Sequence, residues 1–304
     1  MELDEILSAL EENTSRKFPR LAVEAAIAQQ EAITPLLLKA LEDAKANIEE
    51  IQKRPDYFLV IYALHLLAQF RETKAYPLIV DFFSIPGRIT QDVTGDLITE
   101  DLPRILASVQ DGDLNPIKGL IENIEVNEYV RGSALRSLLV LAAQGVIPRE
   151  QVCQYCQDLF PKFERDGSFW WTDLVIYSAR LCPTDELLKL IEEAFEEELV
   201  DEFFVGRGDI EYYRKLGPEG ALQALRENRH YTFVEDVVAE MERWACFREE
   251  KPKSTTKISM PKSRSAPTMQ ELGMAPQSFK SKEQKKKKRQ AQKQSRKKNR
   301  PKKK

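Results

Sequence analysis

Apolar residues recur every three to four positions through most of the first 250 residues, which is the spacing of one face of an α-helix. Tyr57–Phe70 is apolar apart from His65 and Gln69, which lie four residues apart and form one thin polar stripe on a helix that should otherwise be buried. Glycine is scarce, and no pair of alternating runs is joined by a tight glycine turn. The pattern predicts an all-α fold.

Prolines at regular intervals mark an internal repeat. The five prolines are Pro35, Pro77, Pro116, Pro148 and Pro183, which stand 42, 39, 32 and 35 residues apart. Proline is tolerated at the first position of a helix, so the first three are expected to open helices, and the last two follow in similar places. An apolar helix is predicted before each proline: Leu21–Gln30, Tyr57–Phe70, Leu102–Val109, Tyr129–Gln144 and Trp170–Leu181. Helix pairs at this period predict a HEAT- or armadillo-like α-solenoid of antiparallel helix pairs.

The regular array is predicted to end with an amphipathic helix over Glu186–Phe204. Its apolar stripe is Leu187, Leu188, Ile191, Phe195, Leu199 and Phe203. Its acidic face is Glu192, Glu193, Glu196, Glu197, Asp201 and Glu202. A further helix over Thr232–Arg248 is expected to cap the end, after a mixed segment that contains a short helix at Pro218–Glu227.

The composition changes abruptly at Lys251. Strong apolar residues nearly vanish there, so the following segment cannot bury enough surface to offset its chain entropy. Residues 1–250 are therefore predicted to form an acidic helical repeat domain, and residues 251–304 a disordered basic tail. The tail holds 20 Lys and Arg against 2 acids, a charge of +18, whereas the rest of the chain carries −21.

The end of the tail gives the strongest functional signal. Residues 285–304 hold 13 basic residues and neither acids nor aromatics. The basic residues are Lys285, Lys286, Lys287, Lys288, Arg289, Lys293, Arg296, Lys297, Lys298, Arg300, Lys302, Lys303 and Lys304. Such a cluster attracts phosphates by counterion release, and without aromatics it has nothing to stack on bases. We predict binding to RNA, the ribosome or another polyanion; the alternative is a tail that only solubilises the protein.

Several stretches of the body resemble a known bacterial family, the domain of unknown function 1186. They are Tyr57-Phe58-Leu59, Tyr62-Ala63-Leu64-His65-Leu66-Leu67-Ala68, Phe70-Arg71-Glu72, Tyr76-Pro77-Leu78 and Ile98-Thr99-Glu100-Asp101-Leu102. The resemblance covers most of residues 1–250 and implies a helical HEAT-like fold with no established activity. Members often end in a cysteine-rich zinc motif like that of the SecA translocase. The tail here has lysine runs and no cysteine, so the resemblance carries over no zinc site.

Cysteine usage indicates reduced thiols in a cytoplasmic protein. The four cysteines are Cys153, Cys156, Cys182 and Cys246. The chain does not begin like a signal peptide, and its longest apolar run, Tyr57–Leu64, is too short to span a bilayer. Cys153 and Cys156 have CxxC spacing, but a structural zinc commonly takes a second such pair, which is missing. We expect both thiols to pack in the core of a helix over Gln151–Phe163, and we expect no metal or cofactor.

Three further features carry competing interpretations. Trp170-Trp171-Thr172-Asp173 with Tyr177 is compatible with a HEAT-like DNA glycosylase, but that activity needs a positive surface to hold the duplex, and the body is negative. We therefore favour Trp171, Leu174 and Tyr177 as core residues between repeats. His65 is expected to be hydrogen-bonded in the core, and Arg207-Gly208-Asp209 to form a turn between helices.

The favoured hypothesis is a non-enzymatic interaction scaffold. The repeat surface would bind a protein partner, and the tail would tether the complex to RNA, the ribosome or another polyanion. The alternative from a different class is a HEAT-like enzyme, such as a DNA glycosylase, that uses the Trp170–Asp173 region. A further alternative is autoinhibition, in which the tail covers the acidic face until a partner displaces it. No catalytic residue and no membrane association is predicted.

Overall fold

The computed structural model describes residues 1–247, which form sixteen α-helices and two 3-10 helices. The α-helices are α1 (Leu3–Glu11), α2 (Arg20–Ala28), α3 (Gln30–Ala46), α4 (Ile48–Gln52), α5 (Leu59–Gln69), α6 (Ala75–Phe83), α7 (Ile89–Thr94), α8 (Leu97–Glu100), α9 (Leu102–Val109), α10 (Asn115–Glu122), α11 (Glu128–Ala143), α12 (Arg149–Leu159), α13 (Phe169–Arg180), α14 (Asp185–Glu196), α15 (Arg207–Arg226) and α16 (Val237–Met241). The 3-10 helices are Arg229–Tyr231 and Ala245–Phe247. The all-α prediction is confirmed.

The helices form an α-solenoid of five pairs: α2–α3, α5–α6, α9–α10, α11–α12 and α13–α14. The first helices of the pairs stack in one layer, with α5 against α9, α9 against α11, and α11 against α13. The second helix of one pair packs against the first helix of the next, as α3 does on α5, α6 on α9 and α10 on α11. No pair could bury its apolar face alone, so the stacking supplies the core.

The core runs continuously along the array. In α5, every residue from Val60 to Ala68 is buried, and α11 is buried along nearly its whole length because helices pack on several sides of it. Burying one leucine or isoleucine side chain contributes about 1.5–3 kcal/mol, so these central helices hold the repeats together. None of the helices within residues 1–247 is both long enough and apolar enough to cross a membrane.

The proline repeat predicted the helix pairs correctly but placed one helix start wrongly. Pro77 and Pro116 lie in the first turns of α6 and α10, and Pro148 directly precedes α12. Pro35, however, is the sixth residue of α3 and does not open it. The carbonyl group that Pro35 leaves without its helical partner belongs to Glu31, an exposed residue in the first turn of α3.

The helix predicted over Glu186–Phe204 is too long. α14 ends at Glu196, and Glu198 takes the left-handed backbone conformation, with φ 56°. The N–H of Leu199 returns to the carbonyl of Ala194 at 3.0 Å, which closes the helix end. Leu199 is still buried as predicted, whereas Phe203 is 88% exposed. The predicted apolar stripe is therefore wrong at its last member.

The predictions for the region after α14 need two corrections. Arg207-Gly208-Asp209 forms the first turn of α15 instead of a turn between helices, because the Asp209 carboxylate caps that helix by accepting the N–H of Gly206 at 2.8 Å. The helix at Pro218–Glu227 is present as the second half of α15, after a kink at Gly217. The helix expected over Thr232–Arg248 is reduced to α16, and the segment does not cap the array.

Residues 248–304 lie outside the part of the chain that the structure describes. The disordered tail, the boundary near residue 250 and the polyanion site at Lys285–Lys304 therefore stay predictions.

Candidate interaction surfaces

Residues 229–247, which we call the strap, cross back over the first layer of helices. The strap begins beside α13, where Arg180 donates a hydrogen bond to the hydroxyl of Tyr231. It then passes α9 and α5, and it ends near α2, where the rings of Phe247 and Phe18 lie 5.4 Å apart. The strap therefore covers the first layer from the fifth helix pair back to the first.

Arg104 of α9 makes the central contact with the strap. Its side chain is only 8% exposed. The guanidinium donates to the carbonyl oxygens of Thr232 at 2.9 Å and Phe233 at 2.8 Å, and to the two carboxylate oxygens of Glu240 at 2.5 and 2.8 Å. Charge-assisted bonds of this kind are strong where water is excluded. One side chain thus fixes both an extended stretch of the strap and the short helix α16.

Other first-layer side chains also bond to the main chain of the strap. The hydroxyl of Ser108 accepts the N–H of Val234 at 3.0 Å, and the side-chain carbonyl of Gln69 accepts the N–H of Val237 at 2.8 Å. In a helix over Thr232–Arg248 the Val237 N–H would bond to the Phe233 carbonyl, but here Gln69 accepts the first and Arg104 donates to the second, which explains why that helix does not form. The predicted polar stripe of α5 thus meets the strap.

Apolar side chains of the strap are buried as well. Tyr231, Val234, Val237 and Met241 are all fully buried. Each contributes on the order of 1.5–3 kcal/mol of burial to the folded state. The strap is therefore part of the core of the described body.

Arginines recur along the covered face, roughly one per repeat: Arg71, Arg104, Arg136 and Arg180. Arg71 pairs with Glu235 at 2.5 Å and lies over the ring of Phe233 at 4.4 Å. These residues were missed in the sequence because the net charge of −21 hid a local basic row. The available signal was an arginine within or beside each apolar first helix, near the period of the repeat.

A buried carboxylate lies near this row. Asp173 of α13 is 7% exposed, and burial raises its pKa to about 7 although the nearby charges of Arg136 and Arg180 lower it. Its neighbour on α11 is Gly132, where a Cβ atom would stand 2.1 Å from Asp173 Oδ2. Glycine is required at this position to let the two helices approach.

His65 is in the core, as predicted. It is fully buried, and its Nδ1 donates to the carbonyl of Ile61 at 2.8 Å. Its Nε2 lies 3.6 Å from Asp101 Oδ2, and the ring packs edge-on to Trp244 of the strap at 5.3 Å. Burial acts to raise the pKa of Asp101, but His65 and Arg104 outweigh it and lower that pKa below its usual value. The histidine is thus a structural contact beneath the strap.

The thiols of Cys153 and Cys156 lie in the core, as predicted, although the helix that carries them is Arg149–Leu159 and ends before Phe163. Cys153 and Cys156 of α12 are buried, and burial raises the pKa of their thiols to about 11 and about 12. All four cysteines are unpaired as free thiols. Within residues 1–247 no group of three or more His, Cys, Asp or Glu side chains is arranged to hold a metal ion.

The tryptophans of α13 also lie in the core. Trp170 is 1% exposed and Trp171 is fully buried, with Leu174 buried beside them. Trp171 Nε1 donates to the carbonyl of Glu164 at 3.1 Å. Because both indoles are buried, this stretch offers no support to the glycosylase alternative.

A second surface is open instead of covered. In the turn between α14 and α15, Phe203 and Phe204 are 88% and 56% exposed, with ring centroids 5.2 Å apart. The turn is held in place: Leu199, Val200 and Val205 around it are buried, and the N–H of Asp201 bonds to Thr172 Oγ1 at 3.0 Å. The ring centroids of Phe204 and Phe169 lie 5.0 Å apart, and those of Phe169 and Tyr129 lie 5.7 Å apart. We call Phe203, Phe204, Phe169 and Tyr129 the aromatic ridge.

Comparison with known proteins places this fold in a family. Residues 1–248 match the family described as protein of unknown function (DUF1186). An uncharacterized protein of Chlamydia trachomatis serovar D is 39% identical over 246 residues, which cover 80% of this chain and 96% of the relative. An uncharacterized protein of Chlamydia muridarum is also 39% identical over 246 residues, which cover 80% of this chain and 97% of that relative. No solved structure matches the chain.

The family match spans the whole described solenoid together with the strap. The resemblance that the sequence motifs suggested is thereby confirmed. The chain belongs to the DUF1186 family of proteins of unknown function.

Proposed function

We propose that this protein is a non-enzymatic interaction scaffold that works in the cytoplasm. Its helical body presents a surface to a protein partner, and its basic tail attaches the resulting complex to RNA, the ribosome or another polyanion. The two activities belong to parts of the chain with opposite charge, −21 and +18.

The observation that carries the proposal is the aromatic ridge. Apolar side chains as large as Phe203 are normally buried, and this one is 88% exposed on a turn that buried neighbours hold in position. An apolar surface fixed in the exposed state is typical of a site that a partner covers. The first layer, where a solenoid would often bind a peptide, is already filled by the strap.

The tail supplies the second half of the proposal. Its 13 basic residues in the last 20 would neutralise phosphates and release counterions, which gives affinity without base reading. The acidic body would repel the same polyanion and keep its own surface free for protein. This division of charge supports a tether at one end and a docking surface at the other.

The tether is tested by fluorescence anisotropy with a labelled RNA at several salt concentrations. Full-length protein should bind, and changing Lys285–Lys288 to glutamine should weaken binding, while changing the same four to arginine should not. If about six to ten cations reach phosphates, the log–log salt slope should be about −0.7 per contact on single strands. Equal binding by the glutamine variant, or salt-insensitive binding, would contradict a tail tether.

The docking surface is tested by quantitative mass spectrometry of proteins that purify with the full-length chain. Phe203→Ser with Phe204→Ser should lose the specific partner, while Leu21→Ser, which changes a residue 76% exposed on α2, should retain it. Retention of every partner by the ridge variant would contradict the scaffold.

A further inference from the structure

We propose that the aromatic ridge and the cavity beside it bind a basic polypeptide segment of a partner protein. An apolar side chain of that segment would lie on the ridge, and a lysine or arginine side chain would enter the cavity. The inference rests on the proposed function, because it names the class of partner that the scaffold takes.

The ridge leads directly into a cavity of about 620 Å³. Tyr129, the inner end of the ridge, lines it, together with Ile124, Phe163 and Trp170. The volume lies within the range of about 300–1,000 Å³ that is typical of ligand pockets. Ridge and cavity are therefore one continuous surface, apolar on the outside and recessed at one end.

The charge around the cavity is negative. Four acids line it, Glu125, Glu128, Glu164 and Asp166, against two arginines. Glu125 and Glu164 are exposed, and the ion pairs and hydrogen bonds of the described residues leave their carboxylates unengaged. Glu128 and Asp166 already accept the N–H groups of Phe169 and Ser168 and so shape the rim. Outside the cavity, Asp201 and Glu202 adjoin Phe203.

The arginines do not reverse this sign. Arg131 is 7% exposed and lies within the wall: its guanidinium is 4.3 Å from the Trp170 ring and 4.7 Å from the Phe163 ring, its Nε donates to the carbonyl of Ile121 at 2.9 Å, and its Nη2 has no hydrogen-bond partner among the described residues. Arg88 is exposed at the other side of the opening. An entering group therefore meets more carboxylates than free cations.

A long cationic side chain fits these walls. The methylene stem of lysine or arginine would pack on Tyr129 and Ile124, since Arg131 already lies on the rings of Phe163 and Trp170, and its charged head would lie beside Glu125 and Glu164. A nucleic acid would be repelled by the same carboxylates. A second copy of this surface is also disfavoured, because a symmetric contact would bring the acids of two rims together. Charge complementarity thus selects a basic partner protein.

The test measures binding of short labelled peptides by fluorescence anisotropy. The probe contains lysine, leucine and glycine; one control peptide replaces lysine with glutamate, and another replaces leucine with glycine. The protein is the full-length chain with the thirteen basic residues of 285–304 changed to glutamine, so that this cluster does not capture the acidic peptide. We expect binding of the probe to exceed binding of either control peptide at least tenfold.

Matched variants assign the binding to the surface. Phe203→Ser with Phe204→Ser should weaken binding of the probe about tenfold or more, and Leu21→Ser should leave it unchanged. Glu125→Gln with Glu164→Gln should weaken it about three- to tenfold, while Glu31→Gln with Glu49→Gln, two exposed acids elsewhere, should not. Circular dichroism melts establish that each variant is folded.

Three results would overturn the inference. Equal binding by the ridge variant would show that the surface is not the site. Preference for the glutamate peptide, lost in the ridge variant, would keep the docking surface but exclude a basic partner, which separates this failure from failure of the proposed function. Tighter binding in trans by a peptide of residues 268–304, also dependent on Phe203, would make the occupant a segment of this chain.

Discussion

The two surfaces of the solenoid body differ in the burial of their apolar residues. On the first layer, the strap buries Tyr231, Val234 and Val237 completely, and arginines of the array bond to its main chain. At the turn between α14 and α15, Phe203 and Phe204 project into solvent although the residues around them are buried. The same chain therefore closes one face with its own residues and leaves another open.

The difference separates residues that hold the fold from residues free to bind. Side chains of the strap face should matter mainly for stability, since removing them uncovers core or strands a buried charge. Side chains of the aromatic ridge should matter mainly for binding, since solvent already reaches them. Each of the following variants tests on which side of this division a residue lies.

The largest effect should come from Arg104→Ala. It leaves Glu240 without its partner and two strap carbonyl groups without donors, which should lower the free energy of unfolding by about 3–5 kcal/mol. Urea denaturation measures the loss. Arg207→Ala is the control, because Arg207 forms a half-exposed pair with Glu192 and its removal should cost less than about 1 kcal/mol. Equal losses of unfolding free energy in the two variants would show that the contact of Arg104 with the strap contributes no more than a surface ion pair.

Asp173→Asn should raise the free energy of unfolding by an amount that depends on pH. Below about pH 3 the aspartate is protonated in both the folded and unfolded states, so the variant and the wild type should be alike. As pH rises from about 4 to about 7, the unfolded state ionises before the folded one, and the wild type loses stability. Above pH 7 the variant should be more stable by about 2–4 kcal/mol.

Thermal or urea melts across this pH range measure the effect. Glu219→Gln, at an exposed site on α15, should show no comparable rise between pH 4 and 7. A gain for Asp173→Asn that is flat with pH would contradict the raised pKa of Asp173.

Gly132→Ala should destabilise the body by about 1–3 kcal/mol, because the new Cβ collides with Asp173 at the contact of α11 and α13. Gly119→Ala on α10 is the matched control: nothing lies within 4 Å of its Cβ, so alanine should be neutral or stabilise by up to about 1 kcal/mol. The loss of stability caused by Gly132→Ala should be smaller when Asp173 is also changed to alanine. A cost that is the same in both backgrounds would place the collision elsewhere.

The smallest effect is expected at the ridge. Phe203→Ala should change the free energy of unfolding by no more than about 0.5 kcal/mol despite the loss of a whole ring. Val237→Ala in the strap, a smaller deletion, should cost about 1–3 kcal/mol. Chemical denaturation of the two variants side by side decides the comparison, and a larger loss for Phe203 would reverse it.

Local patterns in the sequence were sufficient to predict the repeat. Apolar spacing and prolines located all five helix pairs, because each helix buries one face and each turn needs a residue that tolerates it. His65, Cys153 and Cys156 were placed correctly in the core for the same reason: their neighbours along the helix are apolar.

The strap and the ridge could not be predicted in this way. Val234, Val237 and Met241 have helical spacing, but side chains of Ser108 and Gln69, more than a hundred residues earlier, accept the main-chain N–H groups of Val234 and Val237. Phe203 fitted the apolar stripe of a longer helix, and the left-handed conformation of Glu198 ended that helix first. Both features depend on tertiary contacts that local spacing does not contain.

Hydrogen exchange of the strap tests the division between the two surfaces most directly. In full-length protein, peptides that cover residues 231–241 should exchange as slowly as those of α9 and α11, because the amides of Val234 and Val237 are bonded to side chains of the first layer, while residues 201–204 should exchange fast. Arg104→Ala should speed exchange in the strap more than in α11. Fast exchange of residues 231–241 in the unsubstituted protein would contradict the account, since the covered face would then be open.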